Sequence, residues 1–297
     1  MLRRRETIGL LLGLLAVAIF GGSLPATRAA VGGLDPWFVT AGRAAIGGIV
    51  AVALLLISRP ALPRSRLPTL ALISLCLVIG FPAALAIASV RVPAAHGAVI
   101  LGLLPLATTI AAVVLAGERP SPFFWLLSLL GGGLVAAFAL RDGDIGLVTG
   151  DLYLGVAVAL TGIGYSLSGV LSRELPGWQV IAWALVLSLA PALAGVVLLW
   201  PGDPGAVPLS AWAGLAYGGI MTQFVAYALW NGALALGGVA RVGQLQLLQP
   251  FVTFAIAAVV LGEAIDGAMI GFAAAVVVVV ALGRRAAVRQ RPAVRAL

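Results

Sequence analysis

The 297-residue sequence predicts an all-α integral membrane protein whose ten transmembrane helices form two inverted five-helix repeats. Three observations lead there: an apolar composition, ten runs each long enough to cross a bilayer, and a set of motifs that recurs at one constant offset. Hydrophobic residues make up 62% of the chain and charged residues 9%, with a mean hydropathy of +1.15. A soluble domain carries roughly 45–50% apolar residues, so too little polar surface remains here to clothe a water-soluble globule. That excludes a soluble enzyme, a disordered chain and a nucleic-acid binder, despite the net charge of +8. All 18 basic residues are Arg, which reads as a compositional bias and not as a binding surface. The single Cys76 lies in an apolar run and permits no internal disulfide.

Crossing about 30 Å of hydrocarbon takes about 20 apolar residues. Runs of that size fall at 7–26, 35–57, 67–89, 95–116, 122–140, 150–172, 178–200, 209–234, 238–261 and 266–283. Between them the punctuation is short and turn-like, as at Asp35-Pro36, Arg59-Pro60, Arg119-Pro120, Asp142-Gly143 and Pro201-Gly202-Asp203-Pro204. Ten crossings put both termini on one side. With the termini in the cytoplasm, the inner loops and tails collect 14 arginines, whereas the outer side holds Arg28, Arg91 and Arg141. Positive charge stays inside, so the expected setting is a bacterial inner membrane with cytoplasmic termini. Arg3 to Arg5, the apolar stretch Leu10 to Phe20 and the small residues Ala26 to Ala30 resemble a secretory signal peptide. The first run has a counterpart later in the chain, however, and its removal would break that pairing.

The counterpart is visible in the motifs. Leu104-Pro105-x-x-Thr108, ending in Gly117-Glu118, recurs as Gln249-Pro250-x-x-Thr253, ending in Gly262-Glu263, with every matched pair 145 residues apart. The same shift lays the first five runs on the last five and Ser23 on Ser168, giving repeats at 1–145 and 146–297 within one membrane domain. Five is odd, so the halves face opposite ways across the membrane. Such inverted repeats recur in secondary transporters, with the solute site near the midplane where the halves meet. A duplicated scaffold without transport is the alternative.

These residues carry a family resemblance. The ten spans in two fives, the P-x-x-T and G-E signatures, Arg43 in span 2 and Gly150-Asp151-Leu152 opening span 6 resemble the EamA-type drug/metabolite transporters over nearly the whole chain. The termini-inside orientation and the aromatic and amide residues of the second half are similar to the YddG-type amino-acid exporters. Many members carry a Trp in the middle of span 6, where this chain has Gly162-Ile163-Gly164-Tyr165. The resemblance implies export of small metabolites, amino acids foremost, and implies that Glu118 and Glu263 tie the end of one helix to the start of the next.

Polar side chains are costly in hydrocarbon and by default face the bundle interior or a water-filled cavity. Span 6 offers Thr161, Tyr165, Ser168 and Ser172 on one face; span 8 offers Gln223, Tyr227, Trp230 and Asn231; span 9 offers Gln246, Gln249 and Thr253, with Gln244 roughly opposite. With Thr108, Arg43 and His96 they form the candidate solute-binding set, the alternative for each being a hydrogen bond between helices. Pro105 and Pro250 sit near the centres of their spans as candidate helix breaks and gates, which should free the carbonyls of Leu101 and Gln246. Arg43 lies about 12 Å deep, either to bind a solute carboxylate or to hold span ends through carbonyls. His96, the only histidine, is a solute ligand, a neutral-range titrating group, or an interfacial residue satisfied by water. Gly131-Gly132-Gly133 and Gly267-x-x-x-Gly271 allow close helix approach inside the bundle, or a dimer seam on a lipid face.

One His, one Cys and carboxylates confined to span ends supply neither an activated nucleophile nor a metal cluster, so no enzyme and no cofactor is expected. No Walker-type phosphate loop is present in the sequence. Loops of a few residues argue against a receptor. The expected partners are a small solute, an amino acid or similar metabolite, and the lipid bilayer, with the chain a monomer or weak dimer. Multidrug or other metabolite efflux is the rival transport reading; nucleotide-sugar transport would need several deep cations where only Arg43 is available.

Overall fold

The computed structural model describes residues 2–91, 100–140, 149–261, 267–286 and 288–290. They form an all-α membrane protein. Among the described residues, five helices are long and apolar enough to cross a bilayer: Arg5–Val31, Pro36–Ser58, Arg64–Ser89, Thr149–Leu171 and Gly177–Leu198. Shorter apolar helices cover Leu104–Leu115, Pro122–Ala137 and Ile270–Gly283. The outside of the bundle is its oily side, with Leu56, Ile57, Val114, Leu198 and Leu209 exposed, while Arg43, Gln223, Asn231 and Thr161 are buried. That inversion of the soluble pattern is what hydrocarbon demands.

Local chemistry sets the helix limits. Asp35 accepts hydrogen bonds from the N–H groups of Trp37 (2.8 Å) and Phe38 (3.1 Å), and Pro36 follows it at the first helical position, so Pro36–Ser58 begins on a capped end. It ends at Arg59 in the left-handed region, with φ of 46°. Two helices depart from α geometry at matched places. π segments occupy Ser74–Gly80 and Gly218–Ala226, which the offset of 145 residues lays over one another. In the first, the N–H of Phe81 bonds the carbonyl of Cys76, so Pro82 would be next to donate, to Leu77, and has no N–H to give. Gln223 fills the gap, its Nε2 donating to the Leu77 carbonyl at 3.1 Å.

Packing contacts also come in exchanged pairs. Leu2–Gly21 packs on Tyr227–Gly237, and its counterpart Thr149–Leu171 packs on Phe81–Ser89. Likewise Leu104–Leu115 lies against Thr149–Leu171, and Gln249–Leu261 against Leu2–Gly21. Pro36–Ser58 packs on Gly177–Leu198, and Pro122–Leu140 on Gly267–Arg285.

One end of the bundle, here called the termini end, gathers Glu6, Arg66, Glu118, Arg173, Arg241 and the segment Val288–Gln290. Arg66 pairs with Glu174 at 2.6 Å, Arg173 with Glu118 at 3.4 Å and Arg241 with Glu6 at 3.5 Å. Strand Glu118–Pro120 pairs antiparallel with Val288–Gln290 at the same end. At the opposite end Phe38 packs edge-on to Trp200 and Trp212, and the Arg91 guanidinium lies 5.2 Å from the centre of the Tyr153 ring.

Candidate functional site

The site begins with a break in the first helix. Leu2–Gly21 stops, and Ser23–Val31 continues after Gly22. Breaking a helix frees carbonyls, and each unsatisfied one is expensive in hydrocarbon. Three consecutive carbonyls here are met by side chains of the second half. Tyr217 Oη donates to Ile19 at 2.8 Å, Gln249 Nε2 to Phe20 at 3.4 Å and Thr253 Oγ1 to Gly21 at 2.7 Å. Glycine is required at both break positions, because a Cβ on Gly21 would strike Val252 and one on Gly22 would strike the Tyr217 ring.

Beside this break lies a narrow pocket, whose walls span about 430 Å³ with its open mouth counted in. Phe20, Ser23 and Leu24 line it from the first helix; Arg43, Phe81, Leu85, Leu101 and Leu104 add the rest of the first half. Tyr165, Tyr227, Gln246 and Gln249 close it from the second half. Gln246 Nε2 donates to Tyr165 Oη at 3.1 Å, and Gln246 Oε1 has no hydrogen-bond partner among the described residues. Phe20 stands edge-on to Tyr227, with centroids 5.2 Å apart.

Of the residues anticipated from sequence, Arg43, Tyr165, Tyr227, Gln246 and Gln249 meet at this pocket. Trp230 sits behind them, fully buried, with its ring 5.3 Å from Tyr165 and 6.2 Å from Phe20. Gln223 and Asn231 are not among the pocket's walls. Gln223 is spent on Leu77 and on Arg43, and Asn231 Nδ2 donates to the Gly177 carbonyl at 3.2 Å, tying down the start of Gly177–Leu198. Thr108 is buried against Gly243 and is not among the pocket's walls, and its hydroxyl has no partner among the described residues. His96 and Glu263 lie outside the described residues.

The two prolines occupy equivalent positions, each the second residue of a helix. Pro105 opens Leu104–Leu115 after a turn at 102–103, and Pro250 opens Gln249–Leu261 after the 3-10 segment Gln244–Leu248. The breaks therefore precede the prolines, where a missing N–H costs nothing. One expectation fails as a result: the carbonyl of Gln246 is not free, because the tighter 3-10 turn lets it accept from the N–H of Gln249. Glu118 also differs from expectation. It caps a distant helix start and not the next one, its carboxylate accepting from the N–H groups of Val239 and Ala240, both at 2.8 Å, with Gly238 turning at φ of 84°.

Several wall residues gave no sequence signal. Phe20, Phe81 and Leu101 are apolar residues within apolar runs, and only the fold tells them from lipid-facing neighbours. Thr27 and Thr222, which accept from Arg43, are short polar residues of a kind that usually bonds its own helix.

A bundle of membrane-spanning helices around a pocket, one of whose walls is a broken helix, is an architecture that membrane transporters use. The EamA-like transporter family matches residues 7–139 and again 148–283, and the chain belongs to that family. It is a multi-pass membrane transporter and not an enzyme. An uncharacterized transporter of Bacillus subtilis, YdeK, is 44% identical over 95% of this chain and 98% of its own. A protein of Streptantibioticus cattleyicolor, named a probable terminal-alkyne amino-acid exporter, is 26% identical over 94% of each chain. A crystal structure at 22% identity shares the fold, with a TM-score of 0.73 over 93% of this chain and 98% of that one.

Proposed function

We propose that this protein is an alternating-access carrier exporting small neutral or zwitterionic metabolites, foremost neutral and aromatic amino acids, across a bacterial inner membrane. It works as ten helices in two inverted repeats, 1–145 and 146–297, with cytoplasmic termini. The observation that carries this reading is the pocket itself: aromatic rings, two amides and one cation converging beside a helix break. Phe20, Tyr165 and Tyr227 supply an apolar wall, and Gln246 a hydrogen-bonding end. The exchanged packing pairs, the matched π segments and the two family matches support the repeat. The exporter named in Streptantibioticus cattleyicolor supports the substrate class.

The route runs between the pocket and the end opposite the termini. The termini end is held shut by the ion pairs, the strand pair and the Glu118 cap, and these contacts must separate for the solute to enter from the cytoplasm. Rocking of one repeat against the other would do so. The sequence carries no carboxylate near the midplane, so the carrier lacks the buried acid that would exchange a proton for a cationic drug.

Proteoliposomes loaded with labelled amino acids, with and without an imposed pH gradient, test the proposal. It predicts saturable efflux of neutral and aromatic amino acids that persists when the gradient is collapsed. Strictly gradient-dependent transport of a quaternary ammonium compound, with no amino-acid flux, would refute it.

A further inference from the structure

The pocket holds a buried cation and, among the described residues, no anion to match it. Arg43 is 2% exposed. A guanidinium offers five N–H donors, and those of Arg43 make three hydrogen bonds, all to neutral oxygens. Nη1 donates to Thr27 Oγ1 at 3.1 Å; Nη2 donates to Thr222 Oγ1 at 2.9 Å and to Gln223 Oε1 at 3.4 Å. Nε has no acceptor. Glu118, buried at another helix junction, is treated differently: it has two backbone N–H groups and Arg173. Charge is thus balanced at the closed end of the bundle and left unbalanced at the pocket.

The fold also holds the guanidinium in a fixed place. Thr27 reaches it from the helix beyond the break, and Thr222 and Gln223 from the π segment. Thr222 in turn donates to the Gly218 carbonyl at 2.6 Å, so its lone pair faces Arg43. Gly218 makes room for the stem, since a Cβ there would lie 3.0 Å from Cγ, Cδ and Nε of Arg43. An anchored guanidinium with unused donors, walling a pocket, is built to receive a planar anion.

We infer that Arg43 is a carboxylate subsite, and that the solute is a monocarboxylate with an aromatic or large apolar body. Its carboxylate sits on Arg43 and its body against Phe20 and Tyr227. An amino group, where the solute has one, is taken by Gln246 Oε1. This deepens the amino-acid reading and rests on the pocket being the solute site. A molecule without a carboxylate leaves the guanidinium unpaired and gains nothing from it.

Four probes sharing one ring separate the contributions: L-phenylalanine, 3-phenylpropanoate, phenylalaninamide and phenethylamine, each titrated against the purified full-length protein in nanodiscs and tested as competitors of tracer flux. The two acids should bind at least about tenfold more tightly than the amide and the amine, as a charge-assisted pair requires. Arg43→Gln should erase that difference by weakening the acids alone, and Arg43→Lys should restore part of it. Equal binding of the amide or amine overturns the inference, as does no binding by any of the four, or unchanged acid binding in a folded Arg43→Gln protein. Where Arg43→Gln does not fold, the probe series on the native protein decides the matter. Binding and flux of 3-phenylpropanoate without L-phenylalanine would uphold the subsite and overturn the amino-acid reading. Flux of L-phenylalanine by a protein indifferent to the carboxylate would do the reverse.

Discussion

Gln246 and Asn231 look alike in the sequence: each is an amide on a polar stripe within an apolar run. The fold gives them different work. Gln246 faces the pocket with one oxygen unspent, whereas Asn231 is buried where it ties two helices together. Gln246→Ala should therefore raise the apparent Km for the transported amino acid several-fold with little change in thermal stability. Asn231→Ala should lower stability by about 1 kcal/mol, the typical worth of such a bond, and leave Km unchanged. Flux kinetics beside thermal unfolding in detergent separate the two. What was legible at this level was that a polar group in hydrocarbon must have a reason; which reason depends on a partner far away in the chain. For Gln223 that partner is the Leu77 carbonyl, orphaned because Pro82 has no N–H to give.

The break at Gly21 and Gly22 is stabilised from outside its own helix. Without the Thr253 hydroxyl, the Gly21 carbonyl is left without its side-chain donor, and a buried unsatisfied carbonyl costs about 1–3 kcal/mol. Thr253→Val preserves the volume and removes the bond, so it should lower thermal stability by that order and slow or abolish flux. A variant with unchanged unfolding and flux would show that the break needs no such support. The Q-P-x-x-T motif was visible as a repeat, and its prolines were read as breaking the helices they occupy. They open those helices instead, and Gln249 and Thr253 serve the break in a neighbouring helix. Sequence periodicity places residues on a face but does not say which helix that face meets. The π segments left no periodic trace either, because one extra residue per turn shifts a stripe without erasing it.

Across the whole molecule, the long apolar runs made the all-α membrane architecture legible, since hydrocarbon leaves the backbone so few options. The exact partnering of the ends was not legible: Glu118 was placed at a helix end by its Gly-Glu signature, but its bond to Val239 and Ala240 joins residues more than a hundred positions apart. That carboxylate bridges three segments at the termini end. Glu118→Gln keeps the shape, loses the charge that pairs with Arg173, and should shift the carrier toward opening at the termini end. The shift would be read as faster modification of a cysteine introduced at Ser172, and an unchanged rate would limit Glu118 to a helix cap.

The central claim, that one pocket is exposed to one side at a time, is tested most directly by two cysteines in a chain whose Cys76 is replaced by Ala. One is placed at Leu101 on the pocket wall and one at Ser172 near the termini end, and each is probed from its own side with a membrane-impermeant thiol reagent. The account predicts that adding L-phenylalanine changes the two labelling rates in opposite directions, and that fast labelling at one site accompanies slow labelling at the other. Fast labelling from both sides at once, unaffected by solute, would make the protein a channel and contradict the account.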